Sequence, residues 1–391
     1  MTWSSYLPIA GVVGMALWTS RWALRWVGEL PAGRRVDSID GLRGYLALFV
    51  FIHHAAVWRG FLENGVWENP ASVLYANLGR GSVMLFFMIT GLLFFSKLLN
   101  AREGSLDWVR LCVSRFLRIV PLYALVLTVI CGVVFGLSSW QRRVSLWDLA
   151  EALLRWASFT GSPDLNGFAD TSRLVAGVTW TLGYEWAFYA SLPVFAVLMG
   201  IRVPAVLSVA ALGCLGGAAI NLSPVCWAPF VPGAVAAWAV RSPRVQAVAG
   251  SRWVSVVVLL LLGSTIFCGK LRALLCVLSA AFFGVASGNP IFGVLTAVGS
   301  RVLGEISYGM YLLHGLLLYA WFGGLSAGIL GPEVSRFLLG DGYWLGVGVL
   351  TPMLVLVSVA SLRWIERPAM RRVEAWTVSL RRCAGLLVRG A

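Results

Sequence analysis

The chain has 391 residues, of which 59% are apolar and 12% charged, where a soluble domain runs near ~25% charged, and its mean hydropathy is +0.81. A chain of this composition does not fold as a water-soluble globule, and its 43 Gly and 15 Pro form no collagenous repeat. The formal charge of +14 would point to nucleic acid in a soluble protein, but the cations gather in short loops between apolar runs. That is the pattern of cationic loops held on the cytoplasmic side of a membrane, and it excludes nucleic acid as a partner.

In chain order, the first apolar run is Leu7 to Trp18, preceded by no basic residue and followed by Arg21, Arg25, Arg34 and Arg35. This is the reverse of a secretory signal and reads as an extra N-terminal helix, spanning or half-embedded, that forms with its basic linker a unit over 1–36. Ten further apolar runs follow, near 42–58, 81–97, 116–137, 176–199, 203–220, 225–240, 253–268, 271–287, 302–323 and 343–364. Each is a continuous apolar block approaching the ~20 residues of a spanning helix, not the alternation of a barrel strand. The expected fold is an all-α integral membrane protein: a bundle of ten core transmembrane helices plus the N-terminal helix. Its membrane domain covers 37–370 and a basic tail covers 371–391. The pair 253–268 and 271–287 turns tightly at Gly269 and Lys270. Cys131, Cys214, Cys226, Cys268 and Cys276 lie inside apolar runs, where a thiol packs as a small hydrophobe.

Placing the loop after Trp26 inside collects most Lys and Arg on that side, including Arg43, the group from Lys97 to Arg118 and the group from Arg363 to Arg389. The C-terminus is then cytoplasmic. The long outside loop 138–175 balances Arg142, Arg143, Arg155 and Arg173 against Asp148, Glu151, Asp164 and Asp170. It is either a lid facing an acceptor or an inert surface loop.

Ionisable side chains inside spans are costly and mark function by default. His53 and His54 lie in the first core span, Glu185 in the fourth and His314 in the ninth, so a shared site is expected. Arg43 and His54 are eleven residues apart, which brings them to within about 20° of one helix face and ~16 Å apart along it. A basic mouth with an imidazole halfway across suits a long ligand whose anionic end stays at the surface. His53, turned about 100° from His54, is expected to point elsewhere. Arg115 and Arg118 share a face of the third span at the level of Arg43 and read as phosphate ligands or as positive-inside anchors. No P-loop, paired metal-ligand spacing or Gly-x-Ser-x-Gly elbow occurs, so neither metal nor ATP chemistry is expected. Trp58, Trp67 and Trp180 near the outer side offer platforms for a sugar ring, although interfacial belts account for most membrane Trp.

These residues resemble the acyltransferase 3 family, multispanning bacterial enzymes that acylate extracytoplasmic glycans. Ile39-Asp40-Gly41-Leu42-Arg43-Gly44 followed by His54 is similar to its opening signature. Ser82 to Leu93, through Phe86, Phe87 and Gly91, resembles its Phe-Phe-x-x-Ser-Gly segment. Arg115, Arg118, Pro121 and Tyr123 match Arg-x-x-Arg-x-x-Pro-x-Tyr; Trp180, Leu182, Glu185, Phe188, Tyr189 and Pro193 match the Trp-x-Leu-x-x-Glu block. Ser307, Tyr308, Tyr311 and His314 match Ser-Tyr-x-x-Tyr-x-x-His, and Glu366-Arg367-Pro368 matches the closing Glu-x-Pro. Thr90 and Thr181 stand where the family usually has Ser, and the N-terminal helix precedes the core. No hydrolase-like domain follows the last span, which would place the chain with members that act without a fused partner domain.

The resemblance implies O-acyl transfer, acetyl above all, from cytoplasmic acetyl-CoA or another acyl-CoA to a hydroxyl of an envelope glycan or lipid-linked saccharide such as O-antigen. It also implies a multi-pass protein of the bacterial inner membrane, with membrane lipids as its other partners. Arg43, Arg115 and Arg118 would hold the CoA phosphates. His54 would be general base or transient acyl acceptor, with Glu185 orienting it and Tyr308 or His314 donating to the oxyanion. The competing class is a proton-coupled transporter or flippase of a lipid-linked sugar that relays protons through His54, Glu185 and His314. A scaffold subunit with a degenerate site is a third.

Overall fold

The computed structural model describes residues 6–30, 37–102, 106–221, 223–325, 328 and 331–389; most of the expected basic linker, 31–36, lies outside them. The described chain is helical throughout, with no strand. Its helices are α1 (Leu7–Val27), α2 (Asp37–Asn64), α3 (Val73–Ala101), α4 (Trp108–Leu137), α5 (Leu146–Ala157) and α6 (Trp180–Leu198). The next are α7 (Ala205–Asn221), α8 (Phe230–Ala239), α9 (Pro243–Ala249), α10 (Arg252–Ser264), α11 (Leu271–Ala286), α12 (Val298–Glu305) and α13 (Ser307–Ala320). After α14 (Pro332–Leu339) and α15 (Tyr343–Ser361), a π-helical turn at Leu362–Glu366 leads into α16 (Arg367–Arg371) and α17 (Val373–Arg389).

Local chemistry sets several boundaries. Asp107 opens α4 by accepting the Arg110 amide at 3.1 Å, and Ser145 opens α5 by accepting the Asp148 amide at 3.1 Å, each satisfying one of the unpaired donors of a helix start. The turn between α10 and α11 falls at Gly269 and Lys270 as expected.

Among the described residues, α2, α3, α4 and the stretch Tyr343–Cys383 are each long and apolar enough to cross a membrane, and counting α9 with the α10 segment, bent by 74°, as one broken span makes five. The ten full-length spans expected from apolar runs are therefore not matched by ten long helices. An apolar run does not show where the helix inside it breaks. The run at 225–240 is α-helical only from Phe230, after a short 3-10 turn at Pro224–Cys226. The run at 176–199 begins its helix at Trp180, because Ala176 and Gly177 take left-handed angles. The run at 302–323 divides at Ile306 between α12 and α13. Beyond Arg371, where α16 ends, the chain resumes as the helix α17.

The N-terminal helix is part of the bundle. Val12, Ala16, Ala23 and Val27 of α1 are buried, and α1 lies against α12 and α15. α2 and α3 are central: one apolar cluster joins α2 to α1, α12, α13 and α15, and another joins α2 and α3 to α8, α10 and α11. α2 meets α12 backbone to backbone. A methyl on Gly44 would sit 2.6 Å from the Gly304 nitrogen, and one on Gly304 would sit 2.0 Å from the Asp40 carbonyl oxygen. Small residues at such crossings let membrane helices gain van der Waals contact, and this one sets the height of Arg43 beside the start of α13. Gly304→Val should therefore force α2 and α12 apart and cost roughly 2 kcal/mol or more. Thermal unfolding in detergent should show the loss, while Gly60→Ala, with nothing within 4 Å, leaves the midpoint in place.

Candidate active site

Two cavities lie along α2. The first, about 530 Å³, is lined by Arg43, Lys97, Arg115, Arg118, Glu185 and Tyr308 among others. The second, about 450 Å³, is lined by His53, His54, Trp67, Glu68, Arg80 and Trp180 among others. Both include Val83, Phe87 and Tyr311 in their walls, so they meet at one septum. The helical phase of Arg43 and His54 thus places them in adjoining cavities on either side of it.

In the basic cavity the cations differ in their partners. Arg43 lies 3.6 Å from Asp40 on its own helix. Arg118 lies 3.4 Å from Glu366, which is only 1% exposed; the π turn carries that carboxylate inward, and its Oε1 accepts from the Ser361 hydroxyl at 3.0 Å. The Arg118 guanidinium also stands 5.9 Å from the Tyr308 ring. Lys97 and Arg115 both approach the ring of Phe94, at 5.0 and 5.3 Å. Among the described residues neither forms an ion pair, and the buried Nε of Arg115 has no hydrogen-bond partner. Two cations that pair with neither of the carboxylates lining the same pocket, Asp40 and Glu185, make a natural anion site. Lys97 counted in the sequence only as a charge of the inner side.

The sequence-selected residues divide between the cavities. Glu185 lines the basic one, where it accepts from the Tyr189 hydroxyl one turn along α6, and it is absent from the histidine cavity. Tyr308 lines the basic cavity too, with its hydroxyl donated to the Ile119 carbonyl at 2.6 Å. His314 lines neither and is fully buried; its Nε2 is 3.1 Å from His54 Nδ1 and its Nδ1 is 3.1 Å from the Met310 carbonyl. His54 Nδ1 also faces the Val50 carbonyl at 3.0 Å.

His53 does not point away from the site. It lies in the same cavity wall, its ring centre 4.8 Å from that of His54, and its Nδ1 donates to the Tyr75 carbonyl at 2.9 Å. The bare backbone of Gly79 makes this possible, because a methyl there would meet the His53 ring at 2.5 Å.

Tyr311 carried no assigned role in the sequence, yet it alone among the polar residues borders both cavities. Its hydroxyl lies 2.8 Å from Thr181 Oγ1, and both hydroxyls face the Val178 carbonyl, at 3.4 Å from Tyr311 and 2.9 Å from Thr181. The three-residue recurrence of Tyr308, Tyr311 and His314 along α13 was the available signal. Of the three candidate platforms, Trp67 and Trp180 line the histidine cavity, whereas Trp58 is 3% exposed and packs on Phe61 and Trp67. The 138–175 segment reaches this end as well, placing the Arg173 guanidinium 4.2 Å from the Phe61 ring and 5.8 Å from that of Trp67. Among the described residues no group of three or more His, Cys, Asp or Glu is placed to hold a metal ion.

A family model described as an acyltransferase domain matches residues 36–363, which hold both cavities almost entirely. The chain belongs to the acyltransferase 3 family. It is similar to acyltransferase MdmB of Streptomyces mycarofaciens, 28% identical over 167 residues that make up 42% of this chain and 40% of that protein. The match thus spans less than half of the relative. No solved structure matches the chain.

The Arg118–Glu366 pair carries a stability prediction. Removing one partner strands the other charge in a largely buried setting, so Glu366→Ala should lower the stability by roughly 3 kcal/mol, measured as thermal unfolding in detergent. Glu366→Gln, which keeps the acceptor for Ser361, should lose less.

Proposed function

We propose that this protein moves an acyl group, acetyl in the simplest case, from acyl-CoA in the basic cavity to a hydroxyl of a glycan or lipid-linked saccharide in the histidine cavity. The observation that carries the reading is the shared septum. A cation-lined pocket and an imidazole-lined pocket meet end to end, and Arg43 and His54 are set about 16 Å apart along one helix. A pantetheine arm has a comparable length. Its phosphates would lie on Lys97 and Arg115 with Arg43 and Arg118 beside them, and its thioester would reach Val83, Phe87 and Tyr311.

His54 is the general base of this scheme. As the acceptor oxygen bonds to the thioester carbonyl carbon, its proton passes to His54 Nε2. The carbon–sulfur bond then breaks and the CoA thiolate takes that proton back, so atoms and charge balance. An imidazole suits both transfers because its ordinary pKa, near ~6.5, lies close to neutrality. Glu185 is assigned to the donor side, where Tyr189 links it to the cations. Tyr308 serves as a wall against Arg118, and Trp67 and Trp180 offer faces to the acceptor.

The positive-inside rule orients the molecule. The basic cavity and α17, which is tied to the start of α4 by Arg381–Asp107 and Arg110–Glu374, face the cytoplasm, and the histidine cavity faces the periplasm of a bacterial inner membrane. A proton-coupled transporter fits less well, because Glu185 and His54 line different cavities with Tyr311 between them.

With purified protein and radiolabelled acetyl-CoA, His54→Ala should cut transfer by about 100-fold or more while the protein stays folded; full activity would reject the assignment. Arg115→Ala should weaken acetyl-CoA binding several-fold at low ionic strength and less at high, where salt screens the lost charge. Mass spectrometry of envelope glycans from cells with and without the gene would identify the acceptor.

A further inference from the structure

The hydrogen bond between His54 and His314 has a direction that its neighbours determine. His314 Nδ1 is 3.1 Å from the Met310 carbonyl, which can only accept, so Nδ1 carries the proton. The other nitrogen of a neutral imidazole is then an acceptor. His314 Nε2 therefore accepts, and His54 Nδ1, 3.1 Å away, donates. The Val50 carbonyl, 3.0 Å from the same His54 nitrogen, demands a donor there as well. Two independent partners thus place the proton of His54 on Nδ1 and leave Nε2 bare, on the residue that lines the cavity.

We infer that His314 is a positioning residue that makes His54 a base: it fixes the tautomer with Nε2 free and accepts the Nδ1–H hydrogen bond that stabilises the imidazolium as His54 charges. The inference rests on the acyl-transfer reading above. When the acceptor proton arrives at His54 Nε2, the His54 Nδ1–H bond to His314 strengthens, and the excess charge spreads over two rings. When the CoA thiolate removes the Nε2 proton, His54 returns to its neutral Nδ1–H form while His314 keeps its own tautomer. The role is that of the carboxylate in a Ser-His-Asp triad, filled by a group that is neutral at rest. A resting anion this deep in a lipid-embedded bundle would be costly; a second imidazole avoids it. The other polar groups about the pair are His53, Arg80 and Tyr311, and Glu68 and Asn69 line the same cavity. Among the described residues no carboxylate, Glu68 included, forms an ion pair with any of the three histidines. His53 does not substitute, because its own Nδ1 is bound to Tyr75.

The test compares His314→Ala, His314→Gln and His314→Asn in the full-length protein, with radiolabelled acetyl-CoA as donor and the envelope glycan fraction as acceptor. His314→Ala should lower kcat by roughly 100-fold with the KM for acetyl-CoA unchanged within about twofold. A role confined to folding would not produce that split. Gln places a carbonyl oxygen near the position of Nε2 and should recover about tenfold over Ala, whereas the shorter Asn should not. An active His314→Ala, or Gln no better than Ala at equal acetyl-CoA KM and equal thermal midpoint, would overturn the inference. Should His314→Ala fail to fold, the order of Gln over Asn decides alone. Loss of activity in His54→Ala with retention in His314→Ala sinks this inference only; retention in His54→Ala sinks the acyl-transfer reading beneath it.

Discussion

The rest of the structure depends on how a lipid-embedded bundle accommodates ionisable side chains. Hydrocarbon offers them no water, so each must reach a cavity or a partner. Here both solutions occur on the same helices. α2 carries Arg43 and the two histidines, and α3 carries Arg80 and Lys97, its two charged residues, one bordering each cavity. Glu366, fully enclosed, meets Arg118. The pattern of charge along the spans is therefore a map of where the bundle is open.

Close backbone packing makes that openness possible. Where α2 and α12 touch through Gly44 and Gly304, no side chain intervenes, and the space withheld there is left for pockets elsewhere along α2. The same economy holds His53 against Gly79 and keeps two imidazoles side by side on one wall. Rigid helices, not loops, carry nearly every group assigned to the proposed reaction, which would keep the proposed donor site and base in fixed register.

Much of this was legible in the sequence. The helical class, the turn at Gly269 and the phase relation of Arg43 and His54 follow from apolar runs and from 3.6-residue geometry. The breaks at Ile306 and before Phe230 were not, because an apolar block has the same composition whether its helix is whole or interrupted. Partner choice was hidden too. That Glu185 sits with the arginines and His314 with His54 depends on how α6 and α13 rotate against α2, and single-helix periodicity does not constrain that rotation. Lys97 was masked by its proximity to other basic residues, and Tyr311 by the absence of charge.

The septum of Val83, Phe87 and Tyr311, with the phenol tethered to Thr181, carries one more consequence. In the proposed orientation an enzyme that opens toward both compartments risks short-circuiting an energised membrane. Two aliphatic and aromatic walls and a hydroxyl that is already occupied give hydrated ions nothing to bind, while a slender, flexible thioester arm loses little by passing among them. The narrowest part of the molecule would then act as electrical insulation as well as the place where the acyl group changes hands.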